Sequence, residues 1–143
     1  MLGMITGLVA CQGAAGTESA QMDPTVLKAE LGKEFQLPIH RVVAIVDEDL
    51  SLTFEEVLED SRCPEGVDCV WAGQAVIRLM AEEGGEARSL QLKLRAGSPE
   101  TAGTRVGAYL LQFIQLAPYP QADQKIPPTD YLATLLVKKP DQE

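Results

Sequence analysis

The segment from residue 60 to residue 73 carries the side chains with the most chemical character, and it reads Asp-Ser-Arg-Cys-Pro-Glu-Gly-Val-Asp-Cys-Val-Trp-Ala-Gly. Its two cysteines, Cys63 and Cys69, enclose five residues that include Pro64 and Gly66. Proline and glycine let the chain turn back, so the two sulfurs can come within bonding range. The spacing therefore predicts a disulfide outside the cytoplasm. Closing so short a loop would stabilise the fold by roughly 2 kcal/mol in the chain-entropy model.

The residues beside the two cysteines predict a rigid structural corner. Trp71 follows Cys69 by two positions, and we expect its ring to pack over the disulfide or into the core. Arg62 carries a guanidinium that can stack on a ring or pair with Asp60. On this interpretation the structural motif consists of Asp60, Arg62, Pro64, Trp71 and Gly73.

Redox and metal chemistry are the alternatives for the cysteine pair. A redox dithiol usually has the spacing C-x-x-C at a helix N-terminus, which lowers the pKa of a thiol, whereas five residues separate Cys63 from Cys69. A zinc or copper site needs more soft ligands than this pair, His40 and a few methionines supply. His40 is the single histidine and stands beside Arg41 between two predicted strands. We expect it in a surface turn rather than as a general base.

Acidic side chains suggest two further kinds of chemistry. Hard cations bind carboxylate oxygens, so Asp60, Glu65 and Asp68 could form a calcium site with loop carbonyls, although their spacing matches no regular calcium-binding loop. Glu55 and Glu56 are a carboxylate pair of the type used in glycoside hydrolysis, but adjacent strand residues point to opposite faces. No nucleophile-elbow, P-loop or dinucleotide motif occurs. The sequence thus identifies no catalytic residue, no metal ligand set and no cofactor.

The segment 60–73 resembles a signature of small bacterial envelope proteins, many of them predicted lipoproteins. The signature is D-S-R-C-P followed by C-x-W-A-G, and the strand pattern from Phe35 through Phe54 to Tyr131 is similar as well. This resemblance implies a location in the cell envelope and a fold, but no activity. It is carried by Asp60, Ser61, Arg62, Cys63, Pro64, Cys69, Trp71, Ala72 and Gly73.

The first ten residues have the character of a targeting segment. They are uncharged and end in Leu8-Val9-Ala10 before Cys11, and they are too short to span roughly 30 Å of hydrocarbon. The pattern resembles the lipobox that bacterial lipoprotein signal peptidases cut, which implies that Cys11 becomes the lipidated first residue of the mature protein. A signal peptide opens with positive charge, yet the first basic residue is Lys28. We therefore expect the true start to lie upstream.

Three parts follow from this interpretation. Residues 1–10 are a lipoprotein signal peptide, residues 11–25 are the lipidated cysteine with a flexible linker, and residues 26–143 are a β-domain. The linker is rich in Gly, Ala, Ser, Thr and Gln, a composition that offers little to bury. The lipid on Cys11 would attach the protein to the extracytoplasmic side of a bacterial membrane, because several acyl chains make attachment stable.

Charge argues against a nucleic-acid partner and indicates a different kind of contact. The net charge is −9, with only 12 Lys and Arg among 143 residues, whereas phosphate binding needs clustered basic residues. Between Asp47 and Asp68 nine acidic residues stand against Arg62 alone. We expect this acidic region, 47–68, to be the contact surface for cations or for a basic protein partner.

Apolar residues alternate along most of the chain after the linker, which is the period of a half-buried strand. Two hairpins are predicted, with polar turns at 47–49 and 82–86. The phase slips at Glu55-Glu56 before Val57, which predicts a bulge. About seven short strands without a helical repeat predict an all-β, antiparallel β-sandwich or partly open barrel. The alternating sets are Phe35, Leu37, Ile39; Leu50, Leu52, Phe54; Ala75, Ile77, Leu79; and Leu90, Leu92, Leu94.

Other segments allow more than one interpretation. Val106 to Leu116 also fits a helical stripe, but Gly107, Pro118 and Pro120 favour a central strand. The stretch 26–31 has a helix start before it and an alternating pattern within it, and we favour a strand. Residues 121–129 are expected to be a proline-containing connection, and 131–137 a last strand.

These observations favour a membrane-anchored lipoprotein whose β-domain serves interaction or scaffolding without catalysis. A redox factor that uses Cys63 and Cys69 is the first alternative. A calcium-dependent binding module is the second.

The anchoring hypothesis predicts a specific processed form of the protein. Protein purified from its native host is expected to begin at Cys11, to carry acyl chains there and to hold the remaining two cysteines as a disulfide. Intact-mass and peptide mass measurement would show all three features. An unacylated N-terminus that still carries residues 1–10, together with three free thiols, would contradict the hypothesis.

Overall fold

The computed structural model describes Gly3, residues 26–95 and residues 103–140, and the regular structure of these residues is β-strand. No helix in these ranges is long and apolar enough to cross a membrane. The predicted all-β fold is confirmed. The strands are β1 (Val26–Ala29), β2 (Glu34–Pro38), β3 (Val42–Ile45), β4 (Leu50–Asp60), β5 (Gln74–Glu83), β6 (Glu86–Arg95), β7 (Thr104–Val106), β8 (Tyr109–Ala117) and β9 (Leu132–Lys138).

The strands form two sheets that pack as a sandwich. The first sheet has the order β1-β3-β4-β5-β6, and the second has the order β2-β9-β8-β7. All neighbours are antiparallel except β1 and β3, which run parallel. The predicted antiparallel arrangement thus holds for every pair of neighbouring strands except this one. Between β1 and β3 the chain visits the second sheet as β2 and returns in the original direction, which is the crossover that parallel strands require.

The core lies between the two sheets, where alternate residues of each strand face inward. Leu52, Phe54, Ile77 and Leu79 of the first sheet are fully buried. The alternation read from the sequence thus identified the inner face of β4 and β5. From the second sheet the fully buried side chains include Leu37, Leu111, Phe113, Leu116 and Leu135.

Both predicted hairpins are present, and so is the predicted bulge. The turn 46–49 joins β3 to β4, and Gly84 and Gly85 join β5 to β6. The register of β4 against β5 shifts between Phe54 and Glu56 and again between Val57 and Glu59. The extra residues explain why the apolar phase slips in the sequence at this point.

The prediction of one strand from Val106 to Leu116 is wrong. This run contains the end of β7, a turn and most of β8. Gly107 occupies the turn with a φ of +54°, and a Cβ there would collide with the carboxylate of Glu83. Such a backbone suits glycine because it has no side chain. The strand favoured within 26–31 is present as β1, and with the β7–β8 hairpin the described residues contain nine strands instead of about seven.

One end of the sandwich is closed by a polar contact between the sheets. Glu48, in the β3–β4 turn, accepts a hydrogen bond from the Tyr109 hydroxyl at 2.8 Å and forms an ion pair with Lys139 at 2.8 Å. Burial and the neighbouring carboxylate of Glu48 raise the pKa of Tyr109 to about 12. The hydrogen bonds from Lys139 and Tyr109 lower the pKa of Glu48. We call this contact the Glu48 clamp.

Candidate functional site

At the opposite end, residues 61–73 connect β4 to β5, and we call them the stapled loop. Cys63 and Cys69 form a disulfide in it, with a Cα–Cα separation of 5.9 Å, so the predicted pairing is confirmed. Ser61 and Gln74 close the base of the loop. The Ser61 amide donates to the Gln74 carbonyl at 2.8 Å, and the Gln74 amide donates to the Ser61 hydroxyl at 3.1 Å.

Arg62 anchors the stapled loop inside the protein. Its side chain is 5% exposed, and its Nε and Nη2 donate to the two carboxylate oxygens of Asp60 at 2.7 and 2.8 Å. Nη1 donates to the carbonyl of Leu116 at 2.5 Å, and Nη2 donates also to the carbonyl of Pro118 at 3.1 Å. The guanidinium lies 5.3 Å from the ring centre of Tyr119. Arg62 thus joins the first sheet to the end of β8 in the second, and its predicted pairing with Asp60 is present.

Asp60 keeps its charge although it is largely buried. Burial raises the pKa of its carboxyl, but the hydrogen bonds and charge of Arg62, with a hydrogen bond from the Tyr131 hydroxyl at 3.1 Å, outweigh that effect. The net result is a pKa below the ordinary value of 3.8. Burial and the carboxylate of Asp60 raise the pKa of Tyr131. The carboxylate of Asp60 is therefore ionised at neutral pH, and its pair with Arg62 connects β4 of the first sheet to β8 of the second and to the residues that follow it.

A second set of contacts holds the loop against residues 118–122. The Tyr119 hydroxyl donates to the carbonyl of Cys63 at 2.7 Å. The amide of Glu65 donates to the carbonyl of Pro120 at 3.0 Å, and the amide of Ala122 donates to the carbonyl of Glu65 at 3.3 Å. These contacts fix the first half of the loop on the second sheet's side.

Gly73 ends the loop in a position that admits no side chain. Its φ is +69°, and a Cβ built on it would lie 1.8 Å from the carbonyl oxygen of Ser61. The close approach is part of the pairing between Ser61 and Gln74 at the base of the loop. Glycine is therefore required at this position of the motif for two separate reasons, its backbone angle and its lack of a Cβ.

The tip of the loop, in contrast, is exposed and apolar. Val70 is 95% exposed, Trp71 is 73% exposed and Val67 is 44% exposed. The prediction that Trp71 packs over the disulfide or into the core is wrong. Arg62 stacks on Tyr119, which the second sheet supplies, and the sheets fill the core with their own side chains. We call Val67, Val70 and Trp71 the loop tip.

The acidic region 47–68 is divided by the fold into three places. Part of it lies in the β3–β4 turn, part in residues 55–60 of β4 and part in the stapled loop. Because β4 is 11 residues long, the turn and the loop at its two ends lie about 35 Å apart. Asp60 faces Arg62, whereas Glu65 and Asp68 are exposed. Among the described residues no group of three or more His, Cys, Asp or Glu is placed to hold a metal.

Glu55 and Glu56 do not point to opposite faces, which corrects the expectation from strand geometry. The first bulge lies between Phe54 and Glu56, and it lets both carboxylates contact Arg78, that of Glu55 at 3.6 Å from Nε. Both carboxylates therefore form ion pairs with Arg78. His40 lies in an exposed turn with a φ of 67°, as predicted.

Two tyrosines of this site were missed by sequence reasoning. Tyr119 and Tyr131 lie 56 and 71 residues after the groups that they contact, so local spacing could not connect them. The only signal was that Tyr119 stands between Pro118 and Pro120, an aromatic residue in an otherwise stiff connection.

Comparison of the chain with protein families, with curated proteins and with solved structures gives no match.

The geometry of Gly73 predicts a specific cost for a methyl group. Gly73→Ala is expected to lower the free energy of unfolding by more than about 1 kcal/mol, because it adds both backbone strain and a clash. The matched control is Gly66→Ala in the same loop, where φ is +82° and nothing lies within 4 Å of the new Cβ. Urea unfolding of the two variants measures the difference. Equal losses in the two would show that the Ser61 contact is unimportant.

Arg62 is expected to dominate the stability of this end of the sandwich. Arg62→Met leaves the buried carboxylate of Asp60 without its cation, which should cost about 3–5 kcal/mol at pH 7. Arg88→Met removes an exposed pair with Glu86 and should cost less than about 1 kcal/mol.

The same variant has a pH signature. The pKa of Asp60 in the folded state is lower than its ordinary value of 3.8. The ionised Asp60 therefore contributes its full stabilisation of the fold above about pH 3.8, and this contribution is lost as the pH falls through the lowered pKa. The stability difference between wild type and Arg62→Met should therefore shrink between about pH 5 and about pH 2.5 in urea titrations. A constant difference over that range would contradict the assignment.

Proposed function

We propose that the protein is a bacterial lipoprotein, attached through Cys11 to the extracytoplasmic side of a membrane, whose β-domain is a non-enzymatic interaction domain. The stapled loop is its contact element. The observation that carries the proposal is the pairing of a rigid base with an exposed apolar tip: Arg62 and the disulfide hold the loop, and Trp71 is 73% exposed.

The loop tip has the properties of a binding anchor. Tryptophan is among the residues that contribute most to protein interfaces, where large rings lose little conformational entropy on binding. A loop already ordered by cross-links has still less entropy to lose. Val70, which is 95% exposed, extends the same apolar surface. Leaving these side chains in water is unfavourable, so a partner that covers them gains free energy.

The envelope location agrees with the chemistry of the loop. A disulfide persists in oxidising compartments, and the pair Cys63–Cys69 is the one disulfide among the residues described. On this proposal residues 1–10 are the signal peptide that directs export, and the linker would let the domain reach a partner at a distance from the lipid.

The proposal predicts that the loop tip contacts a partner in cells. A photo-crosslinking amino acid placed at Val70 in the native host should yield a discrete crosslinked species, and Trp71→Ala should remove most of it. Because Trp71 is largely exposed, the melting temperature of Trp71→Ala should stay within about 2 °C of the wild type.

Val46 provides the matched control position. It is an exposed valine, at 41%, and it lies in the turn at the other end of β4. The same crosslinker at Val46 should not yield the species seen from Val70. Identical products from both positions, or a product from Val70 that survives Trp71→Ala, would contradict the role of the loop tip.

A further inference from the structure

The second half of β4, residues 55–60, is paired with a neighbouring strand on one side only. β5 pairs with β4 along its whole length, from Leu50 to Asp60. On the other side β3 reaches only to Thr53, and the segment 40–41 adds backbone hydrogen bonds to Phe54. Among residues 26–95 and 103–140 no backbone group pairs with residues 55–60 on that side. The edge is open because β3 begins only where the chain returns from the second sheet, after Ile39.

A groove runs along the open edge. Its volume is about 470 Å³, and six consecutive residues of β4, 55–60, line it. This size is within the range of roughly 300–1,000 Å³ typical of binding clefts. Its apolar lining residues are Val57 and Leu58 of β4 and, from the connections that flank the strands of the second sheet, Ile39, Ile126, Pro128 and Tyr131. An open strand edge beside a cleft lined by both apolar and charged side chains is a geometry that can accept an added strand.

The charge of the groove is negative. Arg78 contacts Glu55 and Glu56, and Arg62 is paired with Asp60. Glu59 accepts hydrogen bonds from Ser61 and from Gln74, both of them neutral donors. The four carboxylates thus face two arginines, and the groove complements a positively charged ligand.

We propose that this groove binds an extended peptide segment of a partner protein in which apolar residues alternate with Lys or Arg. Alternation places one set of side chains against Ile39, Ile126 and Tyr131 and the other set beside the glutamates, since successive residues of a strand point to opposite faces. The backbone of the segment would pair with the open edge of β4. The two bulges in β4 interrupt regular pairing, so the side chains must contribute part of the selectivity.

The chain does not supply this segment itself. Residues 1–25, 96–102 and 141–143 contain no Lys or Arg, so none of them complements the glutamates. Residues 90–95 in β6 do alternate leucine with polar and basic residues, but Leu92 is buried in the core and Leu90 and Leu94 pack against it. A second copy cannot insert them without unfolding. The proposed occupant is therefore a segment of a partner protein.

The test uses the full chain and a short labelled probe peptide in which valine and lysine alternate, acetylated and amidated at its ends, with fluorescence anisotropy as the readout. Three kinds of peptide serve as controls. In the first, glutamate replaces every lysine, and in the second, all the valines precede all the lysines. The third is the alternating basic peptide N-methylated at every second residue, made in both registers so that each version lacks the N–H donors of one edge. The alternating basic peptide should bind most tightly. Removal of its N–H donors on the pairing edge should weaken binding about tenfold.

Protein variants locate the site. Glu59→Lys should weaken binding at least about fivefold, and Glu82→Lys, the same charge change on an exposed residue near the β5–β6 turn, less than about twofold. Pro128→Lys, at an exposed residue of the lining, is a second groove variant with the same expected direction. Circular dichroism confirms the fold of each variant.

The outcomes separate this inference from the proposed function. Trp71→Ala should leave peptide binding unchanged, because the loop tip is not part of the groove lining. Equal binding of the block and alternating basic peptides, or equal effects of Glu59→Lys and Glu82→Lys, would mean that overall negative charge alone attracts the peptide, and the inference would be wrong. Failure of both N-methylated registers to weaken binding would also overturn it.

Discussion

A buried arginine paired with a largely buried aspartate is the constraint on which this end of the protein depends. Taking two charges out of water is costly, and the cost is recovered only when geometry is good and the remaining donors are satisfied. Arg62 meets both conditions, with two bonds to Asp60, two to carbonyls within and after β8 and a ring against its face. A side chain held by so many directional contacts has one orientation, and the loop that carries it has one as well.

The two sheets are joined at both ends by polar contacts and in the middle by apolar packing. At one end stands Arg62, and at the other the Glu48 clamp reaches Tyr109 and Lys139. Apolar packing has little directional preference, so two sheets could slide against each other at small cost. Directional bonds at the ends select one alignment. This alignment places the segment 118–122 under the stapled loop and the segment 126–131 beside β4.

Rigidity of the loop base and exposure of its tip have the same origin. The interior position beside Asp60 is filled by Arg62, and Tyr119 covers the guanidinium face. Trp71 therefore has no interior site and extends into solvent. The groove along β4 shares Asp60 with this arrangement, because that residue ends the open edge and also begins the loop anchor. The two proposed contact surfaces are thus neighbours on one end of the domain, opposite the Glu48 clamp.

Features decided by near neighbours could be predicted from the sequence. The alternation of apolar residues identified β4, β5 and the inner face of the core, the slip at Glu55 indicated the bulge, and five intervening residues with proline and glycine indicated the disulfide. Each of these depends on backbone geometry within a few residues. The resemblance to the signature identified Gly73 as part of a motif. It did not show why glycine is needed there, because the Ser61 carbonyl that excludes a Cβ lies across the base of the loop.

What the tertiary structure alone decided are the contacts between groups far apart in the chain. The two carbonyl groups that accept hydrogen bonds from Arg62 belong to Leu116 and Pro118, 54 and 56 positions later in the chain. Whether they are available depends on how the sheets align. The exposure of Trp71, the parallel pairing of β1 with β3 and the open edge of β4 have the same dependence. A charge or a ring is buried or exposed according to the desolvation cost and the partners that distant elements bring, and no local spacing contains that information.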